Sequence, residues 1–110
     1  MQTQTITDND TPFACNMAAL NQEQKKSVLD LLKELKTKRQ EVKELPDGYA
    51  FRYLMDSDTF RNAAEFITLE RLCCPFFEFE LAAEKENGAM WLRLRGREGV
   101  KDFIKIEFNF

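Results

Sequence analysis

Glu78-Phe79-Glu80-Leu81-Ala82-Ala83-Glu84-Lys85-Glu86-Asn87-Gly88-Ala89-Met90-Trp91-Leu92-Arg93-Leu94-Arg95-Gly96-Arg97 is the stretch from which the fold can be read. Asn-Gly between two alternating runs is the strongest short-range signal for a β-hairpin, because both residues tolerate the positive φ of a tight two-residue turn. With Asn87-Gly88 as that turn, Glu86 faces Ala89, and counting outward sets Ala83 opposite Leu92, Leu81 opposite Leu94 and Phe79 opposite Gly96. These positions share one apolar face. The alternate pairs, Glu80 with Arg95 and Glu78 with Arg97, are opposite charges directly across the ladder. The pattern is that of an antiparallel hairpin with one face on a core and the other in water.

Working outward, the same grammar recurs. Leu45-Pro46-Asp47-Gly48-Tyr49 is a turn, with Pro presetting φ and Gly accepting a positive φ, so a hairpin is expected with arms 39–45 and 49–55. Asp56-Ser57-Asp58 caps a helix whose apolar face carries Phe60, Ala63, Ala64 and Ile67, and Pro75 stops it. Upstream, Asn21 with Gln24 three residues on is a capping signal, and Val28, Leu31, Leu32 and Leu35 follow at helical spacing, predicting a helix from residue 22 to about 38. A last helix is expected from about Glu98, with Val100, Phe103, Ile104 and Phe108 on its apolar face. Pro12 to Met17 reads as a short edge strand and residues 1–11 as a frayed terminus. The chain thus reads as helix and hairpin twice over, then a helix, with Asp47-Gly48 and Asn87-Gly88 each placed before an aromatic-rich arm. That suggests a worn internal duplication. The expected fold is a single α+β domain over residues 12–110, a two-layer sandwich. Its antiparallel sheet of two hairpins, plus the N-terminal edge strand, is covered on one face by three helices, in the order (β)-α-ββ-α-ββ-α.

Bulk properties bound the function. A chain of 110 residues builds one core, and its apolar fraction of 44% with 32% charged residues is globular composition. No apolar run approaches the roughly 20 residues of a membrane-spanning helix, so no membrane partner is expected. Met1 to Thr11 lacks the basic and apolar parts of a secretory signal, which makes the expected location cytoplasmic. The net charge of −3 gives no general attraction to nucleic acid. The chain has no histidine and three cysteines, an odd number with two of them adjacent. Reduced thiols are therefore expected, and Cys-His or Ser-His nucleophile activation within the chain is excluded.

The segment that carries chemistry is Glu70-Arg71-Leu72-Cys73-Cys74-Pro75. At 3.6 residues per turn, Glu70 shares a side of its helix with Cys73 and Cys74. Two neighbouring thiolates suit one soft ion, Hg(II), Cu(I), As(III) or Zn(II), with Cys15 or Glu70 as a third ligand. Glu70 borders the core and needs a partner, for which Arg52, Arg71, a thiol hydrogen or a bound cation are candidates. A helix C-terminus raises a thiol pKa, which argues against a thioredoxin-like nucleophile. The competing reading is that Cys73, Cys74 and Cys15 simply pack, since free cysteine behaves as a small hydrophobe. The charged ladder around Glu78, Glu80, Arg95 and Arg97 is ordinary solvated surface. Trp91, Arg93 and Arg95 on one strand face acidic neighbours rather than a nucleic acid. Phe76, Phe77 and Phe79 read as core.

Leu45-Pro46-Asp47-Gly48-Tyr49-Ala50-Phe51-Arg52, together with Glu70 through Leu81, resembles a family of small uncharacterised bacterial proteins, over roughly residues 13–104. The segment is also similar to the extension that follows the DNA-binding part of some mercury-resistance-type regulators, where a Cys-Cys pair precedes aromatic residues. This chain lacks their DNA-reading winged helix. The resemblance implies a thiol-based response to soft metals and transfers no catalytic residue, with Cys73, Cys74 and Glu70 matching as motif positions. Three functions stand at this point. The first is a domain binding a soft metal or metalloid ion through Cys73, Cys74, Glu70 and Cys15. The second is a non-catalytic interaction module that forms a homodimer through a sheet edge or Phe76 to Phe79. The third is a thiol redox enzyme.

Overall fold

The computed structural model describes residues 13–110. A 3-10 turn at Met17–Ala19 leads into α1 (Gln22–Lys38), then β1 (Glu41–Leu45), β2 (Gly48–Tyr53), α2 (Ser57–Cys73), β3 (Glu78–Ala83), β4 (Met90–Arg95) and α3 (Val100–Phe108). The expected α+β architecture is present, three helices with a four-stranded antiparallel sheet among the described residues. Asn21 closes a reciprocal capping box with Gln24 at the start of α1. Asp56 caps α2 by accepting from the Thr59 amide and hydroxyl. No described helix is long and apolar enough to cross a membrane.

The strand order is β1-β2-β4-β3, so the two hairpins meet through their second strands, antiparallel to each other. Two copies of a helix–hairpin unit related by a local twofold would join in this way. Phe51, Tyr53, Met90, Leu92 and Leu94 of the inner sheet face pack with Leu35, Ala63, Phe66, Ile104 and Phe108 of the helices. Phe51 stacks on Phe108 at 4.9 Å, and Phe66 meets Phe108 edge-on at 6.0 Å. Burying each such ring contributes about 1.5–3 kcal/mol. α3 is held at its far end by Arg39, which donates to the Phe108 and Asn109 carbonyls and lies over Phe51 and Phe110.

Four expectations need correction. The β3–β4 register is displaced by two residues: Phe79 faces Leu94, Leu81 faces Leu92 and Ala83 faces Met90. The turn is longer than Asn87-Gly88 because the Glu84 carboxylate accepts from the Ala89 amide and the Trp91 indole, both at 3.0 Å. Positive φ accordingly falls on Glu86 and Asn87 rather than on Gly88. The apolar face survives because side chains alternate with a period of two. On the outer face, Arg95 therefore contacts Glu80 at 2.9 Å and Asp47 at 3.3 Å. Arg95 rather than Arg97 takes the ladder position opposite Glu78, and Arg97 lies over the Phe13 ring.

Second, Gly48 is not a positive-φ turn residue. It opens β2, opposite Leu45, and a Cβ there would stand 1.9 Å from the Leu94 carbonyl oxygen. Third, the N-terminal edge strand is absent: residues 13–16 carry no regular structure, the 3-10 turn begins at Met17, and Pro12 and the segment expected to fray lie outside the described residues. The Asn16 amide donates to the Cys73 carbonyl across the end of α2 instead of joining a sheet. Fourth, the most buried stripe of α2 runs through Thr59, Ala63, Phe66, Glu70 and Cys73, with Phe60, Ala64 and Ile67 on its shoulder. The aromatic segment packs partly inward, with Phe76 and Phe79 half-buried. Phe77 is buried, and Phe76 packs against Phe13, Phe77 and Phe103.

Candidate metal centre

Three pieces of chain converge where α2 ends. The helix stops at Cys73, and Cys74 leaves helical geometry while its amide still donates to the Glu70 carbonyl at 2.7 Å. Pro75, with no amide to donate, does not extend the helix. The hydrogen bond from Asn16 to Cys73 satisfies an otherwise orphaned helix-end carbonyl and brings Cys15 alongside.

Cys15 and Cys74 are joined as a disulfide with their Cα atoms 4.8 Å apart, which corrects the expectation that all three cysteines are reduced thiols. The pairing is not within the vicinal couple. Cys73 stays a free, buried thiol, its sulfur 3.9 Å from that of Cys74. It also lies 3.7 Å from Glu70 Oε1 and 3.6 Å from the Glu70 carbonyl. Of the candidate partners for Glu70, the thiol hydrogen is the one present. Arg52 instead donates to Gln40, and Arg71 is exposed.

The second carboxyl is Glu107 on α3, which was not singled out from the sequence. Its Oε2 lies 3.7 Å from Cys15 Sγ, a contact that becomes a hydrogen bond when that sulfur carries a proton. The signal was there to be read, since Glu107 follows Val100 by seven positions and Ile104 by three, on the apolar face of its helix. Glu70 is only 2% exposed. Glu70 Oε2 and Glu107 Oε1 are buried, with no donor besides a proton shared between the two carboxyls.

Burial sets the protonation states. It pushes the Cys73 thiol up to about 12, and the neighbouring charge of Glu70 acts in the same direction. Burial likewise raises Glu70, against a hydrogen bond with Glu107 that lowers it, and raises Glu107, where that hydrogen bond and the repulsion of Glu70 act the same way and Lys36 partly counters them. Two buried carboxyls that face each other share a proton in a hydrogen bond, because two buried charges with no counter-charge are costly. At neutral pH the cluster is thus a disulfide, a thiol and a carboxyl pair that retains a proton, with no ready nucleophile.

The structure brings together all four residues expected to form a site, Cys73, Cys74, Glu70 and Cys15, and adds Glu107. Two donor sets can be drawn, each with its ligand atoms within 4.8 Å of one another: Cys15, Cys73 and Cys74, and Cys15, Glu70, Cys74 and Glu107. Three sulfurs at this spacing suit a thiophilic ion, and sulfur with oxygen suits a borderline one. Compared with known proteins, the chain matches no family model, no curated protein and no solved structure.

Proposed function

We propose that the reduced chain captures a thiophilic metal or metalloid ion on Cys15, Cys73 and Cys74. One observation carries the reading: three sulfurs from two separate segments lie within 4.8 Å of one another. A four-coordinate ion with sulfur about 2.3 Å away has sulfur–sulfur edges of about 3.8 Å. The Cys73–Cys74 spacing of 3.9 Å already has that length. Three thiolates around As(III) form a neutral group, the least costly charge state to bury. The similarity of the Cys-Cys segment to the extension of mercury-resistance-type regulators, which we propose as a kinship, points to the same class of ion.

Opening the disulfide is the precondition, and a cytoplasmic location, which belongs to the same proposal, supplies reducing conditions. Binding must expel protons, most stubbornly from Cys73, so affinity rises with pH. The test is a titration of As(III) into fully reduced protein, read as ion bound per chain by mass spectrometry. One ion per chain is expected, with none on the oxidised protein and none on the Cys73→Ser, Cys74→Ser double variant. Equal uptake by that variant rules out the capture function and leaves the cysteines as packing.

A further inference from the structure

We propose that Cys15 and Cys74, once reduced, form with Glu70 and Glu107 a second donor set of two sulfurs and two oxygens, which takes a borderline divalent cation of the zinc type. The proposal deepens the preceding reading, since it uses the same cluster and needs the same disulfide open. It differs in dispensing with Cys73 and in recruiting α3.

The geometry points to oxygen ligation for three reasons. Glu70 is 2% exposed, and its Oε2 and Glu107 Oε1 are buried with no donor to satisfy them beyond the proton that the two carboxyls share. Buried carboxyl oxygens are ordinarily paired, and a cation between them satisfies both at once. Next, the four ligand atoms come from three parts of the fold and lie within 4.8 Å of one another. A four-coordinate zinc site with sulfur at about 2.3 Å and oxygen at about 2.0–2.2 Å is somewhat tighter, so closure needs a contraction of about an ångström. Lastly, two thiolates neutralise a divalent ion, and Lys36, which acts on the charge of Glu107, offsets one of the two carboxylate charges.

The two donor sets divide ions by chemistry. Three sulfurs favour a thiophilic ion such as As(III), whereas two sulfurs with two carboxylate oxygens favour Zn(II) or its spectroscopic stand-in Co(II). Both sets include Cys15 and Cys74, so one disulfide controls both. A phosphine opens it in a balanced step: phosphorus attacks one sulfur, the S–S bond breaks and each sulfur gains a proton. The phosphine, oxidised by two electrons, takes the oxygen of one water molecule and leaves as phosphine oxide.

The experiment uses the full chain reduced with a phosphine and loaded with Zn(II), Co(II) or, separately, As(III). X-ray absorption at the zinc edge is expected to show two sulfur and two oxygen neighbours. Co(II) is expected to give the visible bands of a four-coordinate site with sulfur-to-metal charge transfer. Glu107→Gln should weaken Zn(II) binding at least tenfold while leaving As(III) uptake intact. Cys73→Ser should do the reverse. Three or more sulfurs around zinc, or Zn(II) affinity unchanged in both Glu107→Gln and Glu70→Gln, overturns this proposal without touching the thiophilic site. Should Cys73→Ser abolish Zn(II) and As(III) together, the divalent ion sits on the sulfur trio and the proposal again fails. Reduced wild-type protein that binds neither ion sinks both readings. Thermal melts of the ion-free variants establish that each is folded, and the zinc-edge spectrum of the wild type decides the matter independently of any variant.

Discussion

The outer face of the sheet and the end of α2 both gather ionisable side chains, and they solve opposite problems. On the sheet, Glu80 meets Arg93 and Arg95, Arg95 also meets Asp47, and Glu84 accepts from Ala89 and Trp91, all with water nearby. Every one of those groups has a partner, and solvent screens whatever is left. At the end of α2 the groups are fewer, but they are buried, and the two carboxyls have only a shared proton between them rather than a counter-charge in contact. A count of charges would have chosen the sheet. What distinguishes a place where chemistry can occur is burial without compensation, because there a ligand supplies what the protein does not.

The hardest way to break the buried region is to cut its disulfide. Cys15 and Cys74 are 59 positions apart, and closing a loop of that size removes unfolded-chain entropy equivalent to about 4 kcal/mol. Urea unfolding with and without reductant should differ by up to that amount, and Cys15→Ala should behave like the reduced protein. Equal midpoints would mean that the bond contributes nothing. Saturating the reduced protein with an ion should restore part of the loss.

A gentler probe is pH. Glu70 and Glu107 are both raised by burial above the ordinary glutamate value of 4.5, so the folded chain holds protons that the unfolded chain has released. Their contribution to stability is complete below the unfolded value and is lost as pH rises through the folded values. The decline is at most about 1.4 kcal/mol per pH unit for each proton retained. Glu107→Gln should flatten it, as measured by urea unfolding at a series of pH values from 5 to about 9. A slope of the opposite sign would place the carboxyls in a charged, paired state.

Cys73 gives a kinetic test of the same contrast. With its thiol pushed up to about 12 and its surface covered, alkylation should wait for unfolding. Rapid labelling of the folded protein near neutral pH would mean that the cluster opens readily and would revive a thiol enzyme. The smallest effect belongs to the sheet: Glu80→Gln should move the unfolding midpoint by no more than the scatter between replicate melts, because its partners remain solvated. A large shift there would erase the distinction between the two regions.

How far the sequence reads depends on the range of the interaction. The three helices and both hairpins are local patterns, and Asn21, Asp56 and the alternation of β3 and β4 announced them. The ladder register was missed by two residues because a side chain, Glu84, sets the loop length, and no count of alternating positions reveals that bond. The convergence of Glu70, Cys73 and Cys74 follows from helical spacing. The union of Cys15 with Cys74 does not, since it rests on where a strandless segment crosses a helix end. Glu107 lay on the apolar face of α3 and was legible as an anomaly, a carboxylate where the pattern asks for hydrocarbon.

Gly48 opens the seam between the two halves of the sheet, with a carbonyl of β4 standing where any other residue would carry a carbon atom. The middle of the molecule is therefore closed by an omission. A single methyl group at that spot would act as a wedge, prising one half-molecule from the other at the point where the strands first touch.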